Sequence, residues 1–479
     1  MLKTNTSGKP RFQTGLVWFR RDLRATDNAA LHHALDQCAQ VHAVFVLDRD
    51  ILDPLPRRDR RVDFILGSLH DLDAALRALS GLPEAGLIVR HGHAANEVNA
   101  LARELGAQAV FANHDDEPAA IERDNRVRTL LTQNGQDFFT FKDHVVFERQ
   151  EVLTQSGTPY GVFTPYKNAW LKKLQPAQHL SAWPIEALAG RLAARPSGLR
   201  QPPPHAADIG FESSNLADLP VVCGATGAQQ AVADFLTRID HYEDTRNFPS
   251  VKGPSYLSVH LRFGTVSIRQ LARLAYPQAI KGDAGAQTWL SELIWRDFYH
   301  QIMHHHPHAM SSSFKADYDA IEWEKGKPGK ALFEAWCEGR TGYPLVDAAM
   351  AQINQTGASG ATTTTIKQST PQVSINWQSF NVGDKERVNF VQPDASSLAI
   401  NRILGSQGSS IQGNINANGQ VWLINPNGII FGKNAQVNVG GLVATTLDTA
   451  NPGSLTGTQR FSGNSTAAVT NSGLLNASE

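Results

Sequence analysis

The apolar residues of this 479-residue chain change their period near Gly357. Before that point they recur at helical spacing between short apolar runs; beyond it they alternate with polar residues. A period of 3.6 does not make a strand face, and a period of two does not make a helix face, so the two sides are different folds. Composition turns over at the same place. Residues 358–479 contain no His, Cys or Met, few charges, and much Asn, Gly, Thr and Ser.

Residues 14–148 read as an α/β layer. Apolar runs at Gly15–Arg20, Val41–Leu47, Gly86–Arg90, Ala107–Asn113 and Val145–Phe147 predict strands. Asn28–Cys38, Asp59–Leu79, Ala94–Leu105 and Pro118–Gln133 have helical periodicity between them. Strands about 25 to 35 residues apart with intervening helices predict a parallel sheet covered on both faces. No GxGxxG follows the first run, which argues against a dinucleotide fingerprint.

Residues 149–225 form a connector that loosens into Pro-, Ala- and Ser-rich sequence through Pro202–Pro204 and predicts a long surface linker. Residues 226–357 predict an all-α domain, with helices at Ala228–Ile239, Ser267–Ala275, Gln287–His304 and Lys330–Cys337. From residue 358 to 479, strands at Ser374–Trp377, Arg387–Val391, Gln420–Ile424 and Gln436–Val439 are separated by Asn-Gly and Gly-Gly turns. This pattern predicts an all-β sandwich or an elongated parallel β-helix.

A net charge of −1 gives no global nucleic-acid signal, although an average of this kind would hide a local basic groove. Three separated cysteines without CxxC indicate neither a zinc site nor a disulfide framework. The polar N-terminus lacks a secretory h-region, and no apolar run approaches the ~18 to 20 residues of a membrane span. The expectation is a cytoplasmic, reduced, monomeric protein. His304–His308 reads as an exposed helix end, and no metal is expected.

Within Gln287–His304, Glu292, Trp295, Arg296 and Tyr299 fall at i, i+3, i+4 and i+7, on one face. Leu290, Ile294, Phe298 and Ile302 form a separate apolar stripe. An indole beside a carboxylate and a guanidinium could stack a base and contact its edge; an ordinary amphipathic core helix is the alternative.

Five blocks favour the first of these: Trp18–Asn28, Val162–Trp170, Tyr242–Pro249, Trp289–Tyr299 and Thr341–Met350. In these, and in their order, the chain resembles the DNA photolyase/cryptochrome family. The resemblance implies an α/β antenna domain, a helical FAD-binding domain, and light-driven repair of cyclobutane pyrimidine dimers by electron transfer from reduced FAD. It implies that Glu292 and Trp295 contact the lesion, with Arg296 and Tyr299 in the same surface and Arg246 on the DNA. Tyr242 matches a flavin contact. Ser255, Leu257 and Ser258 match the segment that holds the flavin phosphates, from which Pro254 and Tyr256 depart. Trp323 matches the surface-side member of a three-tryptophan photoreduction chain. An antenna, folate or deazaflavin, is implied near Asn113, Asp116 and Glu117. A blue-light sensor shares this fold and cofactor.

After Gly357 the family pattern stops. The expected Trp-Met-His-Asn-Arg helix and the helices closing over the flavin are replaced by other sequence. Weak FAD binding follows, with helices from residue 226 partly exposed. Ile375–Phe380, Val388–Pro393, Asn425–Gly432 and Val437–Thr446 instead resemble the secretion domain of filamentous haemagglutinin-type exoproteins of the two-partner secretion pathway. That resemblance implies a right-handed parallel β-helix recognised by an outer-membrane transporter, hence a third reading as an exported adhesin fragment. The seam reads as a splice of two genes.

Overall fold

The computed structural model divides into two compact units, Met1–Asp319 and Ala320–Glu479. It describes residues 9–248, 251–337, 341, 343, 346, 352–356, 361–368, 371–377, 379–448 and 459–477. Gly357, Pro249 and most of the Thr341–Met350 block lie outside the described residues.

In the first unit, β1 (Phe12–Phe19), β2 (Cys38–Asp48), β3 (Leu87–Gly92), β4 (Ala109–Asn113) and β5 (Asp137–Phe141) form one parallel sheet in the order β3-β2-β1-β4-β5. Helices α1 (Ala29–Gln37), α2 (Arg49–Leu52), α3 (Arg60–Ser80), α4 (Ala94–Glu104) and α5 (Pro118–Gln133) make the crossovers. Alternate residues of β1 point to opposite faces: Val17 and Phe19 join one core with Leu31, Leu66 and Phe111, whereas Leu16 and Trp18 join another with Val98, Leu101 and Val127. Both sets are apolar because helices bury both faces, as the sequence predicts.

The expected strand at Val145–Phe147 is absent. Asp137–Phe141 takes the edge position beside β4, and the Val146 and Phe147 amides donate to the buried Asp297 carboxylate at 3.1 and 2.9 Å. A side chain has replaced a neighbouring strand as acceptor.

Nor is the Pro-rich stretch a surface linker. After α6 (Phe163–Lys173) and α7 (Pro176–His179) the chain returns along the sheet and buries Ile185, Leu192, Ile209 and Phe211 in the α3-side core. Short 3-10 turns satisfy part of its backbone. Arg195, 2% exposed, donates to the carbonyls of Glu84, Leu87 and Gln201.

Helices α8 (Gly224–Leu236), α9 (Tyr242–Thr245), α10 (Ser258–Phe263), α11 (Ile268–Ala279) and α12 (Ala284–His305) build a second core with α6, centred on Trp170, Phe235, Leu271, Trp289, Ile294 and Phe298. These five helices pack around that core, so the expected partial exposure does not fall on them. A buried ionic cluster joins the two lobes: Arg24 from the sheet side and Arg269 from α11 both pair with Asp143, at 2.6 and 2.9 Å, and Arg269 also pairs with Asp27 at 2.9 Å. Burial opposes the charge on Asp143, but the two guanidiniums override it and hold the carboxyl far below the usual range. Gly264 ends α10 at φ +64°, and a Cβ there would lie 2.0 Å from the Arg21 carbonyl oxygen, so only glycine permits this approach.

The second unit holds α13 (Gly326–Cys337), which buries none of its residues, and thirteen strands among the described residues. Its six-stranded sheet runs β18 (Leu474–Ala477), β15 (Gln436–Val439), β12 (Asn414–Ala417), β9 (Arg387–Val391), β7 (Thr363–Lys367), β6 (Gln352–Thr356). A second runs β16 (Gly441–Thr445), β13 (Gln420–Ile424), β10 (Leu398–Ile403), β8 (Gln372–Trp377), and a third β11 (Ser409–Ile411), β14 (Ile429–Phe431), β17 (Val469–Asn471). Every pairing is parallel except β6 with β7. The strand at Gln352–Thr356 shows that the helical reading of residues 226–357 runs too far. Alternation places Val388, Phe390, Ile415, Val421, Leu423 and Val437 in one shared core.

Candidate functional site

The predicted stripe of α12 faces an open cleft of about 450 Å³ in the first unit. Glu292, Trp295, Arg296 and Tyr299 line one wall, Ser258 and Arg262 of α10 another, and Arg21, Asp115 and Glu117 from the carboxyl ends of β1 and β4 a third. Crevices beyond the carboxyl ends of parallel strands are where α/β folds bind ligands.

Each wall is fixed by a specific contact. Glu292 accepts a hydrogen bond from Arg246 Nη1 at 2.6 Å, and the Arg246 guanidinium lies 5.4 Å from the centre of the half-buried Tyr242 ring. Burial raises the Tyr242 phenol pKa, while its carboxylate partner raises that of Arg246. Trp295 lies parallel to Phe163, with centroids 3.6 Å apart, and more loosely over Tyr299 at 5.4 Å. Arg296 is turned partly inward: Nε donates to His144 O at 2.9 Å and Nη2 to Leu261 O at 3.2 Å. Burial, assisted by neighbouring Arg21, brings its pKa down to about 10.

From sequence, Asp116 and Glu117 are expected only as an antenna locus, and their ionic partners are not anticipated. Glu117 accepts from both Arg21 (2.7 Å) and Arg262 (2.8 Å), tying the sheet lobe to α10. Asp116 accepts from Arg149 and meets His300 Nδ1, each at 3.3 Å. Asn113, by contrast, is 2% exposed; it accepts from the Ala30 amide and donates to Asp22 and Asn28, joining β4 to the start of α1.

In the segment matched to flavin phosphates, Ser258 is exposed, Ser255 half-buried, and Leu257 packed in the helical core. Tyr256 between them has φ +55°, a left-handed conformation uncommon for a bulky residue, and its ring is exposed. Trp323 belongs to the second unit and is 72% exposed. His304–His308 ends α12 and the following turn, where His306 packs edge-on against His308 and Phe314. Asp297, on the core side of α12, was missed; an acid within the Leu290/Ile294/Phe298 stripe was the available signal.

The family model for DNA photolyase matches residues 15–185, that for the FAD binding domain of DNA photolyase residues 289–378, and that for the TPS secretion domain residues 346–479. The last two overlap across 346–378, around the change of period. The deoxyribodipyrimidine photo-lyase of Vibrio cholerae is 33% identical over 351 residues, covering 71% of this chain and 72% of its own. That of Escherichia coli is 36% identical, covering 72% and 71%. Among solved structures, a class III photolyase from Agrobacterium tumefaciens is similar with a TM-score of 0.61 at 25% identity, covering 72% of this chain and 69% of that one. An archaeal photolyase from Sulfolobus tokodaii, solved with two FAD molecules, gives a TM-score of 0.53 at 28% identity, with coverage of 71% and 70%.

Proposed function

The chain belongs to the DNA photolyase family over its first three quarters, and from that membership we propose that its first unit is the lesion-facing scaffold of a deoxyribodipyrimidine photo-lyase. The substrate is DNA carrying a cyclobutane pyrimidine dimer. Ser255, Ser258 and Tyr242 would hold FAD, which when bound and reduced would supply the light-driven electron that splits the dimer ring. The protein's own residues hold the flipped-out pair: Trp295 stacks on it, Glu292 accepts hydrogen bonds from its base edges, and Arg246 steadies the flanking strand. The observation that carries this reading is the placement of Glu292, Trp295 and Tyr299 on one wall of the cleft that Ser258 also lines.

The residues fit FAD only in part. Ser255 and Ser258 offer hydroxyls suited to a diphosphate, and Tyr242 offers a partly apolar contact. A ligand of that size is normally enclosed over most of its surface, whereas this cleft is open and the family pattern that would cover it gives way to β-sequence. FAD is therefore held weakly, and repair is impaired. An antenna, folate or deazaflavin, would sit near Asp116 and Glu117, and the first unit acts as a cytoplasmic monomer. The visible spectrum of the purified chain, with a repair assay on a dimer-containing oligonucleotide, tests this. We expect substoichiometric flavin bands and dimer-selective binding. A stoichiometric flavin band would overturn the incomplete pocket; binding indifferent to dimers would overturn the lesion-facing wall. Light-dependent signalling without repair would instead favour a blue-light sensor.

The second unit supports a separate reading. Leu398 pairs with Gln372, Gln420 with Leu398 and Gly441 with Gln420, each step advancing the chain by roughly one coil of ~20 residues. We read these sheets as faces of a right-handed parallel β-helix, a secretion domain that an outer-membrane transporter would recognise if it were exported. Among the described residues no helix is long and apolar enough to cross a membrane. Export of the chain by a two-partner transporter, assayed with a signal peptide added, would support the adhesin-fragment reading.

A further inference from the structure

Trp295 has two near-parallel ring neighbours. Phe163, the first residue of α6, lies 3.6 Å away with its plane 8° off; Tyr299, one turn along α12, lies 5.4 Å away at 23°. Phe298 meets the indole edge-on at 5.5 Å and meets Phe163 edge-on at 5.9 Å, bracing both. An indole has two faces. A parallel ring at 3.6 Å is already at van der Waals contact, so the face that meets Phe163 has no room for a base. Tyr299 is farther away, tilted, and 60% exposed.

We infer that Phe163 and Tyr299 clasp Trp295 from its two faces. Phe163 is a positioning residue that closes the inner face and fixes the indole plane. Tyr299 is a displaceable shutter over the outer face, the one on which a flipped pyrimidine stacks. The inference rests on the reading of Trp295 as the lesion-stacking residue. Its chemical sense lies in discrimination. Stacking on tryptophan tolerates any base, so an uncovered indole in an open cleft would hold undamaged single strands as readily as damaged ones. A base that must displace Tyr299 stays only if it also gains the Glu292 contact.

Fluorescence anisotropy with labelled single strands, with and without one cyclobutane dimer, tests the clasp in the full chain. Tyr299→Ala should tighten binding of the undamaged strand about 5- to 10-fold and shrink the preference for the dimer, whereas Tyr299→Phe should behave as wild type. Phe163→Leu, which keeps apolar volume, and Phe163→Ala should weaken dimer binding about 10-fold and leave the phosphate-driven undamaged binding unchanged. Far-UV circular dichroism checks that each variant is folded. Weaker binding of both strands by Tyr299→Ala, or an unchanged dimer preference in Phe163→Leu, overturns the clasp. A wild type with no dimer preference overturns the lesion-facing reading and the clasp together; a preference indifferent to both residues overturns the clasp alone.

Discussion

Arg246 Nη1 donates to Glu292 Oε1 at 2.6 Å, so the cation matched to a DNA contact and the carboxylate matched to a lesion contact pair with each other in the free protein. On the proposed reading, DNA entry would part them. Glu292→Gln removes the counter-charge and leaves Arg246 free to meet a phosphate. We expect tighter binding to undamaged DNA, a salt dependence of log K steeper by about one ion, and a smaller dimer preference. Titrations at several salt concentrations measure all three, and an unchanged slope would refute the coupling.

Asp297 should give the first unit a distinctive pH response. Burial pushes its carboxyl up to about 6, against the pull of the Phe147 amide, the Trp170 indole and the Val146 amide. Folded chains therefore keep a proton here that unfolded chains release above about 3.9. The contribution is fully present below pH 4, declines by about 3 kcal/mol as pH rises to 6, and is flat beyond. Asp297→Asn does not titrate. The wild-type minus variant stability, from urea unfolding at each pH, should fall across that window; a flat difference would count against it.

The Arg24–Asp143–Arg269 cluster sits between the lobes with every side chain at most 7% exposed. Asp143→Ala leaves two guanidiniums buried without their shared carboxylate, a loss of about 3 to 5 kcal/mol. Urea denaturation reads it directly. A cost below about 1 kcal/mol would mean that water already reaches the cluster.

In the second unit Gly428 has φ +103°, and the buried Asn425 accepts from the Asn427 amide while donating to Gln407 O and Ser409 Oγ. Gly428→Ala forces a side chain into that backbone conformation and should cost about 1 to 3 kcal/mol. Thermal unfolding should show the loss in the β-unit transition and leave the first unit's transition in place.

Much of this architecture could be read directly. The four helices expected in the sheet lobe fall within a residue or two of their predicted bounds because their apolar stripes and caps, such as Asn28 and Asp59, are local signals. The Glu292–Tyr299 stripe was legible for the same reason. Val145–Phe147 was misread because its amides answer to Asp297, about 150 residues away in sequence. Residues 185–211 were misread because Pro and Ala dominate the composition, while four apolar side chains and Arg195 decide the packing. Phe163 lay within a recognised block, but its parallel contact with Trp295 depends on how α6 meets α12. No periodicity encodes that.

The returning segment also sets what can be cut from this protein. His32 Nδ1 meets the Pro184 carbonyl at 2.6 Å, Ala193 N donates to Val41 O, and Glu212 N donates to Arg57 O, so the sheet lobe is stitched to sequence far beyond its last strand. Residues 14–148 are not a portable cassette. A recombination event or an engineer's excision at residue 148 would strip a wall from the hydrophobic interior, and the smallest transferable piece extends to about Glu212.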